Sequence, residues 1–473
     1  MAHRGASAYA PENTVAAFEK AQELGADFWE LDVRMSVDDV PIVLHDPNLP
    51  TGGVASEHSY SEILKQTSTA GTPVPTLEEV VKLAAKYGVG VYADIKAEEA
   101  AIPSLKILQS VGLERVVIGA FSQKITQALQ AAGCTYPVSS LIPIGEDPFE
   151  FGGDADVLHL CWERMKRPQD LLDAAFFEKA EKAGKVIALW REEDPNRMAD
   201  IRGLPVFGIC SDRPELVQPF RPSKNWPVKV VCHRGANKIA PENTLSSAHC
   251  AFAAGFSHVE LDTHYTADDK LVVIHDPLLE RTTNGTGPVV QKTLAELRDL
   301  DAGSWFDPFF KNEKIPTLDE ILTLTKLYDG ELYVELKSAS AKRVVELVQS
   351  HGLLHKCFFW SFVSQSVADV RTQSKEALLM TRRLDFDSVE EAINWQGAHL
   401  VEFSSNEDFS EFETCRKMGV KSMVAYMGDD PKVFKKIIDA RADMVNIDKP
   451  FLFARICREM GLTVEFDRPV VEA

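Results

Sequence analysis

Paired cysteines, long apolar runs and an excess of basic charge are all missing from this chain. Its eight cysteines (Cys134, Cys161, Cys210, Cys232, Cys250, Cys357, Cys415 and Cys457) show no Cys-x-x-Cys spacing. That argues against a disulfide framework or a cysteine-ligated zinc site and reads as reduced core thiols. No apolar run approaches the ~18 residues of a membrane span, and the start carries no charged-then-apolar leader. Neither secretion nor a stable membrane anchor is expected from such a pattern. Lys and Arg number 51 against 71 Asp and Glu, a formal charge of −20. With a sequence pI near 5.1, nucleic acid drops out as a partner and an anionic membrane exerts no pull, which leaves small ligands. A cytoplasmic protein is the expectation. Its true start is left open, because Val228–Cys232 leads into His233 whereas only Met1 and Ala2 precede the matching His3.

What the chain does have is a long internal repeat. The motifs His3–Ala6, Pro11–Thr14, Glu30–Asp32 and His45–Pro47 recur as His233–Ala236, Pro241–Thr244, Glu260–Asp262 and His275–Pro277. The offset is constant, since 233−3, 241−11, 260−30 and 275−45 all equal 230. Length alone suggests about three domains. A unit this much longer than the roughly 20 to 50 residues of a solenoid repeat makes it two, each able to bury its own core. The expected domains are 1–218 and 228–473, joined by a stiff linker over 219–227, where Pro219, Pro222 and Pro227 stand among polar residues. The two are expected to pack on each other.

In the second copy, β-branched runs alternate with helical periodicity. Strands are predicted at Val228–Cys232, His258–Thr263, Glu331–Leu336, Cys357–Ser361, Ala377–Thr381, His399–Phe403, Lys421–Tyr426 and Asp443–Ile447, with a short extra strand at Leu271–Ile274. Predicted helices include Leu245–Ala254, capped by Asn243 and Thr244, and Leu318–Leu327, capped by Thr317. Such a series predicts an α/β chain of two tandem (β/α)8 TIM-type barrels, with function at the C-terminal strand ends. The first copy gives a matching series ending in Val206–Cys210, its first strand cut to Met1–Ala2.

Glu260 and Asp262 lie two apart and share a strand face, and Glu335 ends the next core strand. Burying neighbouring acids is costly unless a cation neutralises them. Three carboxylates without Cys or His ligand spacing favour an oxygen-loving divalent ion, Mg²⁺ or Ca²⁺. Simple strand-end salt bridging is the plainer alternative for any one of them. His233 and His275 end strands at the same rim, and imidazoles that titrate near neutrality suit a proton relay. Arg234 and Lys337 add cations fit for a phosphate, although Arg234 is also placed to pair with Glu242.

Together these motifs resemble those of the glycerophosphodiester phosphodiesterases, across essentially the whole of both copies. In the second copy the similarity extends to Glu280–Gly287, Asp301–Phe306 and Ile315–Leu318, matching that family's small insertion after its His-Asp motif. The resemblance implies a metal-dependent barrel enzyme that hydrolyses diesters such as glycerophosphocholine to glycerol 3-phosphate and an alcohol. By the same resemblance Glu260, Asp262 and Glu335 would bind metal, His233 and His275 would act as general base and acid, and Arg234 and Lys337 would hold phosphate. In the first copy the matching residues are Glu30, Asp32 and Asp94, then His3 and His45, then Arg4 and Lys96. Competing readings are a lysophospholipase D-like or other barrel phosphodiesterase, or a first barrel that only binds phosphodiesters.

The register breaks in one place. Past the insertion the offset becomes 335−94 = 241, so the first copy is 11 residues shorter there and lacks the Arg281–Gly287 run. Asp94 stands for Glu335 and Ala120 for Ser361, which makes the first copy the weaker candidate for activity. Tyr426 stands at the place of Trp190 (426−190 = 236), as an alcohol-pocket wall or as a core aromatic.

Overall fold

A computed structural model describes residues 1–161 and 172–464; the end of the expected second domain, 465–473, lies outside the described residues. Two compact units meet in sequence between Gln218 and Pro219.

In the first unit the strand order is Pro41–Val43, Phe28–Met35, Gly90–Ile95, Val116–Ala120, Val138–Ile142, Val157–Cys161, Val186–Trp190 and Gly208–Ile209. Only the first of these pairings is antiparallel, with Val33 opposite Val43. Ala2 bridges both Trp29 and Ser211. Its N–H donates to Phe28 O at 2.8 Å, and the His3 N–H donates to Ser211 O at 2.9 Å. A single residue thus stands in for the first strand. The last strand is shorter than the expected Val206–Cys210, because it has so little first strand to pair with on that side.

The second unit is fully closed. Lys229–Cys232 pairs in parallel with both His258–Tyr265 and Met444–Ile447, and Leu271–Val273 folds back antiparallel on His258–Tyr265. Alternate strand residues fill the barrel, among them Tyr333, Phe358, Trp360, Met380, Leu400 and Met423. Each such burial is worth about 1.5–3 kcal/mol. In the first unit Met1, Tyr92, Val117, Leu141 and Val157 do the same. The insertion of the second unit has its own small core of Val272, Leu279, Val289, Leu297 and Ile315. Its reduced counterpart packs the helix Tyr60–Thr69 over Ile42, Leu49 and Val74.

The helix Leu318–Leu327 opens on a capping box, in which Thr317 accepts from the Glu320 N–H and Glu320 accepts from the Thr317 N–H at 2.8 Å. Helix Leu245–Ala253 is capped by a box in which Thr244 accepts from the Ser247 N–H and Ser247 Oγ accepts from the Thr244 N–H at 3.3 Å. Asn243, expected to share that role, is committed elsewhere. The stretch 219–227 is not a free linker. Phe220 and Trp226 are buried on the second unit, and the Trp226 indole donates to Ala442 O at 2.9 Å while its ring packs on Phe453. Two aromatics with a place to bury outweigh the linker-like prolines. Among the described residues no helix is long and apolar enough to cross a membrane.

Candidate active site

Each site begins with the turn that follows the first strand. Arg4 and Arg234 both take φ 56°, followed by Gly5 at 82° and Gly235 at 80°. A Cβ on Gly235 would lie 2.5 Å from Ser247 Oγ, and one on Gly5 2.6 Å from the Ala17 carbonyl carbon, so glycine is required. This turn aims the Arg234 N–H at Glu260 Oε2 (2.8 Å) and the Arg4 N–H at Glu30 Oε2 (2.9 Å). Asn13 and Asn243 also adopt left-handed backbone, φ 57° and 56°, which asparagine tolerates better than most residues. Their Nδ2 groups donate to Asp32 and Asp262 Oδ2, at 2.8 Å in both units. Asn243 therefore orients an acid at the site.

In the parallel ladder Asp262 lies opposite Glu335, and Asp32 opposite Asp94. Glu260, Asp262 and Glu335 are buried, with one oxygen from each within 4.8 Å of the others, and Glu30, Asp32 and Asp94 do the same. The shorter Asp94 does not break its trio. Burial, reinforced by the neighbouring carboxylates, pushes Glu260 and Glu30 well above the usual carboxylate range. Burial and Asp262 raise Glu335 to about 7; burial and Asp32, working against Lys96, raise Asp94 to about 6. Burial pushes Asp262 and Asp32 up as well, but Lys337 and Arg234 hold the first below its ordinary value, and Lys96 and Arg4 the second. Lys337 Nζ lies 2.6 Å from Glu335 Oε1 and 3.3 Å from Asp262 Oδ1; Lys96 contacts Asp94 and lies 3.0 Å from Asp32 Oδ1. Asp262 Oδ1, Asp32 Oδ1 and Asp94 Oδ1 are buried without a well-formed hydrogen bond. Desolvated oxygens short of donors, with one lysine among three acids, fit a hard divalent cation.

Arg234 Nη1 lies 2.9 Å from Glu242 Oε1, and its Nε is 3.6 Å from Asp262 Oδ2. The pairing weighed against a phosphate role is thus present, and it holds the guanidinium alongside the trio. Arg4 repeats it, 2.9 Å from Glu12 and 3.1 Å from Asp32.

Each histidine is held through Nδ1 by a carboxylate. His233 lies 2.7 Å from Asp448 Oδ1, which also receives Asn237 Nδ2 at 2.6 Å and, at its other oxygen, Lys238 at 2.9 Å. His3 lies 2.6 Å from Asp212, which also receives Ser7 and Arg191. His275 and His45 each bond the aspartate that follows, Asp276 at 2.6 Å and Asp46 at 2.8 Å. With Nδ1 committed, Nε2 is the nitrogen left to exchange a proton in His233, His275 and His45, whereas in His3 it already accepts from the Trp190 indole. Burial opposes ionisation of Asp212 and Asp448, yet the histidine bonds outweigh it: Asp212 falls to about 2 and Asp448 also lies well below the usual range. The sequence reading missed both of these acids. Their signal is the pair Asp212-Arg213-Pro214 and Asp448-Lys449-Pro450, offset by 448−212 = 236, the same shift that relates Trp190 to Tyr426.

The remaining differences between the copies are local. The Trp190 indole N–H donates to His3 Nε2 at 3.0 Å. The Tyr426 hydroxyl instead accepts from the Asp430 N–H at 3.0 Å and its ring meets Phe434, so it closes its own loop. Ser361 Oγ donates to Leu336 O at 2.6 Å, a strand-end bond that Ala120 forgoes.

Over residues 3–216 and 233–428 the chain matches the Glycerophosphoryl diester phosphodiesterase family. It is 32% identical over 241 residues to the glycerophosphodiester phosphodiesterase of Caldanaerobacter subterraneus subsp. tengcongensis, covering 49% of this chain and 98% of that protein. It is 36% identical over 170 residues to the glycerophosphodiester phosphodiesterase of Bacillus subtilis, covering 33% of this chain and 56% of that one. A solved glycerophosphodiester phosphodiesterase from Agrobacterium tumefaciens superposes with a TM-score of 0.47 and 36% identity, covering 48% of this chain and 99% of its own. Both copies carry the match, and the chain belongs to the glycerophosphoryl diester phosphodiesterase family, an enzyme of that class.

Proposed function

We propose that the second unit cleaves glycerophosphodiesters to glycerol 3-phosphate and an alcohol, with His233 and His275 as its general base and acid. The observation that carries this reading is two carboxylate-braced imidazoles in the same unit as a buried acidic trio. Arg234 and Lys337 bind the non-bridging phosphate oxygens. One neutral imidazole accepts the proton of the attacking oxygen as the new P–O bond forms, and the other, protonated, gives its proton to the departing alcohol oxygen as the old bond breaks. The attacker is water itself, or the neighbouring glycerol hydroxyl with water then opening the cyclic phosphate by the reverse proton transfers. Glu260, Asp262 and Glu335 would hold a Mg²⁺ or Ca²⁺ ion, which when bound polarises the phosphoryl oxygen.

The first unit does the same with His3, His45, Arg4, Lys96 and the trio Glu30, Asp32 and Asp94. It keeps both proton-transfer groups, which a purely binding module would not need. The eight free thiols suit a reducing compartment, the cytoplasm. One observation supports a lysophospholipid as an additional substrate. Phe362, Val363 and Leu384 are exposed just beyond the C-terminal strand ends of the second unit, and the Phe362 ring centroid is 5.4 Å from Lys337 Nζ. An acyl chain can lie on such a rim.

Stripping the protein with chelator and then restoring Mg²⁺ or Ca²⁺ separately tests the metal assignment. Turnover of glycerophosphocholine is expected to vanish and to return with one ion or both; undiminished turnover in excess chelator would remove the metal from the mechanism.

A further inference from the structure

We infer that Arg281 is a positioning residue of the second site, locking His275 and Arg234 into one assembly that the first site lacks. The inference rests on the phosphodiesterase reading above. Arg281 grips Asp276 with two nitrogens, Nε to Oδ2 at 2.6 Å and Nη2 to Oδ1 at 3.1 Å. The same guanidinium grips Glu242, Nη1 to Oε2 at 3.0 Å and Nη2 to Oε1 at 2.7 Å. Asp276 in turn bonds His275 at 2.6 Å, and Glu242 bonds Arg234 at 2.9 Å. Carboxylates alternate with nitrogen-bearing groups along these five side chains, so every contact is attractive. Arg281 is itself fixed, because the insertion anchors its flanks: Leu279, Thr282 and Thr283 are buried, and Thr283 Oγ1 donates to Leu279 O at 2.7 Å.

The first unit supplies the contrast. With the Arg281–Gly287 run missing there, Asp46 is 75% exposed against 26% for Asp276, and Glu12 is 51% exposed against 13% for Glu242. A carboxylate free to rotate orients an imidazole poorly, whereas one held in a planar fork is set before substrate arrives. Arg281 is partly exposed, and ion pairs of that kind add little to folding stability. Its loss should therefore register in turnover before it registers in melting.

The test uses the full chain in a His45→Ala background, so that only the second site works, at saturating Mg²⁺ and with glycerophosphocholine as substrate. Arg281→Met is expected to lower kcat about tenfold or more, with KM changing far less and the melting midpoint unmoved. Arg281→Lys is expected to recover part of the loss, since an ammonium keeps the charge but not the fork. If Arg281→Met folds poorly, Arg281→Gln carries the comparison. An unchanged kcat, or one that falls only in step with the folded fraction, overturns the inference. His275→Ala in the same background separates the two claims: if it keeps full turnover, the reading of the site itself fails, and if it loses turnover while Arg281→Met does not, the clamp alone fails.

Discussion

Asn243 does two jobs with one side chain and one unusual backbone angle. It accepts a left-handed φ and donates to a buried oxygen of Asp262. Asn243→Ala leaves that oxygen without its donor, which costs about 1–3 kcal/mol in a buried setting. We expect a lower melting midpoint and weaker Mg²⁺ affinity by calorimetry; a variant that binds the ion as tightly as the parent would show that Asn243 does not orient the trio. Asp448→Asn, made in the His45→Ala background so that only the second site works, should keep the His233 geometry but lose the carboxylate that braces its Nδ1. A fall in kcat of roughly 10²-fold or more is expected, by analogy with other carboxylate-backed imidazoles. These two residues also mark what was legible at this scale. Glu260, Asp262, both histidines and Arg234 recur in motifs at an offset of 230, and Glu335 and Lys337 have counterparts at 241. Asp448 sits in a three-residue pattern and gains meaning only when the last strand closes against the first, bringing residues 215 positions apart within bonding distance.

Strands were legible as β-branched runs, but what they place inside the barrel was not, because parallel strands are apolar on both faces. The first unit threads a polar chain through its interior: Tyr92 donates to Ser139 Oγ at 2.6 Å, and His159 Nδ1 lies 2.8 Å from the Tyr92 hydroxyl. Gly119 makes the crossing possible, since a Cβ there would lie 2.5 Å from Ser139 O. In the second unit Trp360 stands at the matching place (360−119 = 241), and its interior is largely apolar. Burial holds His159 down at about 3, against an ordinary 6.5. Because the fold disfavours its charged form, its stabilising contribution is complete above pH 6.5 and is lost as the pH falls from there toward 3. Melting of the first unit followed from about pH 7.5 down to about 4.5 should show a midpoint that drops with acid and drops less in His159→Gln. Parallel slopes for the two proteins would remove His159 as the cause. The stretch 219–227 teaches the same lesson from the other side: its prolines read as a linker, but the burial of Trp226 depends on a surface only the folded second unit provides.

For the whole molecule, the repeat carries most of what the sequence could say. Its constant offset marked two domains and one chemistry, and its break at the insertion marked where the copies would differ. The structure puts a consequence on that break, since the missing run is the one that supplies Arg281. Two sites built from separate units should contribute independently, because substitutions without shared partners add. Release of glycerol 3-phosphate from glycerophosphocholine by the parent, His45→Ala, His275→Ala and the double variant tests this most directly. Each single variant should keep the turnover of the other site, His275→Ala should lose the larger share, and the double variant should be inactive. A double variant that still releases product at the parent rate would contradict the two-histidine chemistry in both units.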